Sequence, residues 1–121
     1  DWTAAALAAR AKVIIQGKEG KRTVEMDDFI RGSFETAVQE GEMAIEALWP
    51  TPNAHTGASY QKIERKVGDY ATAAAAVQIE VDANGVVKEA GIGITAVALM
   101  PLRVAKGEKL LRGQKVTKDL I

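Results

Sequence analysis

Val77-Gln78-Ile79-Glu80-Val81-Asp82-Ala83-Asn84-Gly85 decides the fold of the second half of this chain. Val77, Ile79 and Val81 alternate with Gln78 and Glu80, the period-two pattern of a strand with one buried face. Asn84-Gly85 is the strongest short hairpin signal, because a tight turn here needs residues that accept positive φ. The pattern predicts a strand over 71–81, a turn over 82–85 and a returning strand or strands over 86–98. Gly91 and Gly93 inside the return predict a bulge or the close approach of another backbone. Pro101 is expected to end this sheet. A short helix is predicted over 105–112 with Gly113 as its stop. Residues 115–121 read as the opening of another helix, with Thr117 as a candidate cap.

Upstream, residues 51–59 hold Pro52, Asn53, His55 and Gly57 and predict an exposed loop that divides the chain into two α+β halves. The first half opens with a helix over 2–11, favoured by Ala and Leu and capped by Asp1 or Thr3. A strand over 12–16 carries the β-branched Val13, Ile14 and Ile15. A turn over 17–20 and a returning strand over 22–26 complete a hairpin. Asp27-Asp28-Phe29 opens a short turn or helix that ends near Gly32, and 36–41 is a polar connection. Residues 42–49 are rich in helix formers, yet Pro50 closes the run abruptly.

The bulk properties exclude several functions. The chain has 121 residues, with 16 Lys plus Arg against 16 Asp plus Glu. Zero net charge argues against an electrostatic nucleic-acid binder and against an anionic membrane surface as partner. With no cysteine there is no disulfide, thiolate metal site or Cys nucleophile. The apolar runs at 4–9 and 71–77 fall far short of the ~20 residues a membrane helix needs. Asp1-Trp2-Thr3 is not a basic leader, so a cytoplasmic location is expected. The absence of an opening Met is what a fragment of a longer protein would show.

Most motifs have an ordinary reading. Gly17-Lys18-Glu19-Gly20 is too short for a phosphate loop, and Gly91-Ile92-Gly93 lacks the third glycine of a dinucleotide fingerprint. His55, the only histidine, has no partner for a metal or for base catalysis among its neighbours and is expected to be exposed. Asp27 and Asp28 are expected to cap a short helix rather than bind a cation. Glu40 and Glu42 flank Gly41 in a turn and are expected to be solvated.

The segment Tyr60-Gln61-Lys62-Ile63-Glu64-Arg65-Lys66-Val67-Gly68-Asp69-Tyr70-Ala71 is different. It mixes two tyrosines, three basic residues and two acids without amphipathic spacing. One reading is a solvated edge strand whose ion pairs contribute about 0–1 kcal/mol each. The other is a pocket wall for a large, planar, anionic cofactor. There a tyrosine ring lies against a heterocycle, and a lysine offsets phosphate or reduced-ring charge. Periodicity leaves both open.

This segment resembles the start of the C-terminal domain in medium subunits of carbon monoxide dehydrogenases, members of the molybdenum hydroxylase (xanthine dehydrogenase) family. The likeness continues through the turn at Asp82 to Gly85, then Ala90 to Ala98, Pro101-Leu102-Arg103, Glu108 and Leu111-Arg112-Gly113. Upstream, 1–13 is similar to the family's "D-W-x-A-A-L-x-A-L-x-A" segment. Phe29, Thr36-Ala37, Gly41-Glu42 and Trp49-Pro50 match the end of its FAD-binding domain. On this pattern 42–49 is read as a strand.

The resemblance implies an α+β chain: residues 1–52 as the C-terminal part of an FAD-binding domain, and 53–121 as an incomplete flavoprotein C-terminal domain, a small antiparallel sheet plus helices. It implies a cytoplasmic heterotrimer, with the inner face of the membrane as an alternative location. A large subunit would hold the molybdenum cofactor and a small subunit two [2Fe-2S] clusters. This subunit would bind FAD and pass electrons to an acceptor. Asp1 matches an acidic residue that hydrogen-bonds the flavin, Lys62 a lysine near the cofactor, and Tyr60 its accompanying aromatic. Ala44 stands where the family usually has Leu or Ile lining the FAD site, so Met43 or Ile45 would have to supply that contact. The family's glycine-rich "A-G-G-T-D" and "T-I-G-G-N" segments are not among these 121 residues. Weak FAD binding is therefore expected unless another segment completes the site. The competing expectation is a cofactor-free α+β interaction module.

Overall fold

A computed structural model of the chain describes residues 1–117. In the first half, β1 (Lys12–Gly17) lies between β2 (Gly20–Glu25) and β5 (Met43–Leu48) in an antiparallel sheet of order β2-β1-β5. Gly17 pairs with Gly20 across a two-residue loop, and Gly20 takes a φ of 124° that a side chain would resist. Val13 and Ile15 point inward from β1. They meet Leu7, Met26, Phe29 and Ala37 in the first core. Met26 opens the single-turn helix α2 (Met26–Phe29) rather than ending the preceding strand. A small hairpin, β3 (Ile30–Gly32) with β4 (Glu35–Thr36), follows it.

Within the run 42–49, Met43–Leu48 forms a strand despite its helix-forming composition. Pairing with β1, from Lys12↔Leu48 to Gln16↔Met43, overrides local propensity, since a backbone ladder satisfies N–H and C=O groups whatever the side chains prefer.

The second half is a meander of β6 (Thr56–Ile63), β7 (Ala73–Val81), β8 (Val87–Thr95) and β9 (Leu102–Arg103). The predicted turn is present. Asp82 Oδ1 accepts the backbone N–H of Asn84 (2.8 Å) and Val86 (3.0 Å), and Gly85 has a φ of 79°. Two boundaries differ from expectation. Residues 56–59 are strand rather than loop, because Thr56 to Ser59 continue the ladder opposite Glu80 to Val77. Pro101 does not end the sheet: Leu102 and Arg103 pair back onto Ile94 and Gly93. The next helix, α3 (Ala105–Leu111), stops before Gly113, whose φ is 77°. Lys115 bridges to Val86 instead of starting a helix, and residues 118–121 of the predicted final helix lie outside the described part of the chain.

Helix α1 (Trp2–Ala8) joins the halves and is shorter than the predicted 2–11. Its Ala6 and Leu7 enter the first core, while Ala4 and Ala8 pack with Ala76 of the second sheet. A helix buried on two sides has no polar stripe to display, which explains the alanine run. Gly91 and Gly93 permit the contact. A Cβ on Gly91 would collide with the Ala8 carbonyl, its carbon only 2.7 Å away, and one on Gly93 with the Ala4 carbonyl. Of the two readings of these glycines, close backbone approach is the one realised. The register shift of this hairpin lies elsewhere, between Glu80 and Val81.

Candidate functional site

Asp1 occupies the N-cap position of α1, but its side chain makes no capping hydrogen bond. The carboxylate turns to the second half instead. Tyr60 Oη donates to Asp1 Oδ1 at 2.9 Å, and Lys62 Nζ donates to Asp1 Oδ2 at 3.0 Å. Tyr60 and Lys62 are two apart on β6, so the strand's period of two places them on one face. Lys62 Nζ also donates to the Asp69 carbonyl at 3.1 Å and lies 2.8 Å from Glu64 Oε2. Its side chain is only 18% exposed, so these contacts enclose most of the ammonium.

Beside Tyr60 runs a groove of about 480 Å³ lined mainly by apolar groups, including Ala5, Ala9, Trp49, Pro50 and Ala76. Trp49 and Tyr60 thus give it two aromatic walls from the two halves of the chain. Three of the four predicted site residues, Asp1, Tyr60 and Lys62, therefore meet through hydrogen bonds, and of the three Tyr60 lines the groove. The fourth, Ala44, sits exposed on β5 opposite Ile15 and is not among the residues lining this groove. Trp49, the residue just past the end of that strand, reaches the groove in its place.

Comparison with known families gives this arrangement its context. The CO dehydrogenase flavoprotein C-terminal domain matches residues 58–121, and the FAD binding domain in molybdopterin dehydrogenase matches residues 1–52. The chain belongs to the CO dehydrogenase flavoprotein family. It is 36% identical to the carbon monoxide dehydrogenase medium chain of Hydrogenophaga pseudoflava over all of its residues, and covers 42% of that protein. Against the medium chain of Afipia carboxidovorans it is 39% identical over 88% of its own length and 37% of the relative's. The chain thus spans well under half of these relatives. The solved carbon monoxide dehydrogenase of H. pseudoflava superposes on all of it with a TM-score of 0.94 at 36% identity, covering 42% of that chain. Quinoline 2-oxidoreductase from Pseudomonas putida 86 superposes on 97% of it, and 39% of its own chain, with a TM-score of 0.77 at 26% identity.

Two further polar clusters of this family member escaped sequence reasoning. Glu108 on α3 has a side chain only 1% exposed. Arg103 donates to it through Nε (2.9 Å to Oε1) and Nη2 (2.8 Å to Oε2), Arg10 through Nη2 (3.2 Å), and the Ile92 backbone N–H at 3.0 Å. Burial pushes the Glu108 carboxyl up. The Arg103 hydrogen bonds, the Ile92 amide and the charges of Arg103 and Arg10 together outweigh it, leaving the group below its ordinary range. Arg103 also reaches Asp27 at 3.0 Å. Asp27 therefore serves as an ion-pair partner across the two halves and not as a cap. Helix α2 has no side-chain capping bond, and Glu25 holds its N-cap position. No helical or strand spacing links Arg10, Asp27, Arg103 and Glu108, so no local pattern announces them.

Glu42 is the second correction. It is not solvated: Arg22 donates through Nε to Oε1 at 2.8 Å and through Nη2 to Oε2 at 2.6 Å, and the Gln39 backbone N–H donates at 2.8 Å. The Arg22 hydrogen bonds, then the Gln39 amide, hold the Glu42 carboxyl down at about 2. Glu40 is exposed as expected, and so is His55, whose backbone N–H donates to Asn53 Oδ1. Among the described residues no group of three or more His, Asp or Glu could hold a metal ion, and no helix is long and apolar enough to cross a membrane.

Proposed function

We propose that this chain is part of the FAD-binding electron-transfer subunit of a molybdenum-containing hydroxylase or dehydrogenase. As an oxidoreductase component it passes electrons between [2Fe-2S] clusters and an acceptor through FAD. Residues 1–52 act as the end of the FAD-binding domain and 53–121 as the flavoprotein C-terminal domain. The large molybdenum-cofactor subunit and the small iron–sulfur subunit are its partners, in the cytoplasm. No feature of the described residues supports the inner membrane face.

The observation that carries this reading is the meeting of Asp1 with Tyr60 and Lys62, contributed by opposite halves of the chain beside an aromatic-walled groove. That donor set fits an isoalloxazine nucleotide. Tyr60 offers a ring face and, with Trp49, excludes water from a flat heterocycle. Lys62 offers a partly desolvated cation to negative charge on the cofactor, and Asp1 fixes both side chains from the helix end. FAD, when bound, supplies the one- and two-electron redox chemistry. Backbone amides for its diphosphate would have to come from glycine-rich segments outside these 121 residues.

The test is the visible absorbance of the full-length subunit purified with its partner subunits. Stoichiometric flavin is expected. A colourless, flavin-free complex would favour a cofactor-free interaction module instead. Lys62→Met should weaken FAD binding by about tenfold, the scale of one hydrogen bond to a charged group, in a subunit that still folds but melts lower because Asp1 and Glu64 lose their counter-ion. Unchanged FAD content and reduction rate would remove Lys62 from the site.

A further inference from the structure

The surroundings of Lys62 contain one more charge than its hydrogen bonding needs. Asp1 Oδ2 and the Asp69 carbonyl each accept an aligned hydrogen bond from Nζ. Glu64 Oε2 then lies at 2.8 Å from the same nitrogen, yet it accepts no aligned hydrogen bond from any group and is shut away from solvent. One cation thus faces two carboxylates, and the second is held by charge alone. An ammonium has three N–H donors, two of which are already directed elsewhere. A flavin acceptor atom taking the third would approach a nitrogen whose charge Glu64 already draws from 2.8 Å away.

We propose that Glu64 is a positioning residue that restrains Lys62 and sets how much of its positive charge the flavin feels. The inference rests on the flavin reading above. Glu64 is two residues beyond Lys62, so β6 and its continuation hold both on one side. Arg65 is engaged by Asp69 at 3.1 Å and leaves Glu64 to Lys62. The surplus negative charge opposes added electrons on the ring, so removing it should raise the flavin midpoint potential. It should also free Lys62 for the cofactor.

The experiment uses Glu64→Gln, which keeps the shape and removes the charge, in the full-length subunit with its partners. In FAD-stripped protein, acetic anhydride labelling of Lys62 read by mass spectrometry should quicken, because the carboxylate that restrains the Lys62 side chain at 2.8 Å is gone. On adding FAD, binding should tighten by about two- to fivefold, the range for a partly exposed ion pair, and the midpoint potential should rise. If Glu64→Gln leaves the labelling rate, FAD affinity and potential unchanged while Lys62→Met weakens FAD binding, the role of Glu64 is refuted and the flavin site stands. If Lys62→Met is also without effect, both fall together.

Discussion

Substituting Gly91 with Ala tests whether the contact between α1 and β8 holds the candidate site together. The added Cβ would lie 2.7 Å from the carbonyl carbon of Ala8, against an ordinary carbon–carbon separation of about 3.5–4.0 Å. The Ala8 carbonyl oxygen lies nearer still, so the helix would have to retreat by at least about 0.8–1.3 Å, the difference between those values for the carbon. Backbone on both sides cannot rotate out of the way as a side chain could. Overpacking of this kind costs about 1–3 kcal/mol, and the rigidity of the obstacle puts Gly91→Ala at the upper end. The helix also carries Asp1. A rigid retreat of that size would stretch the 2.9 and 3.0 Å bonds to Tyr60 and Lys62 beyond hydrogen-bonding reach. The expected result is a thermal midpoint several degrees lower in the full-length subunit, together with reduced flavin content. Gly57→Ala is the control. Its Cβ meets nothing within 4 Å, so it should be neutral or slightly stabilising. A Gly91→Ala protein that melts like the parent and retains full flavin would refute the reasoning.

Two other perturbations follow from the polar clusters. Glu108→Gln should destabilise the subunit by about 2–4 kcal/mol in chemical denaturation. This is slightly less than for a fully buried pair, because Arg10 and Arg103 keep some access to solvent; a loss below about 0.5 kcal/mol, the size of a surface change, would show the cluster to be dispensable. Glu42 should make stability depend on acid. Its folded carboxyl, at about 2, lies below its ordinary 4.5, so its contribution is complete above 4.5 and disappears as the pH falls through about 2. Urea midpoints for parent and Glu42→Gln should therefore draw together across that window, and parallel curves would count against the Arg22 pairing.

Residues 73–95 show what local order can reveal. The strand at Ala73–Val81 and the Asp82–Gly85 turn act through neighbouring φ and ψ, so they are visible in sequence. The face of β7 that α1 buries, however, is that of Ala74 and Ala76, and Val77, Ile79 and Val81 on the expected face stay partly exposed. The alanine helix, the first hairpin and the stop at Gly113 belong with them. The strand at Met43–Leu48 was legible only through family likeness, because its side chains favour helix and its partner, β1, lies about thirty residues earlier. Likeness also singled out Asp1, Tyr60 and Lys62, but docking of α1 against β7 and β8 decided that they meet, while Ala44 stays apart on β5 opposite Ile15. The same docking turned Asp27 from a presumed cap into a partner of Arg103 and buried Glu108 between two arginines. Strand and turn propensities act within a few residues. An ion pair across 76 positions exists only once two packed layers have fixed the distance between its ends.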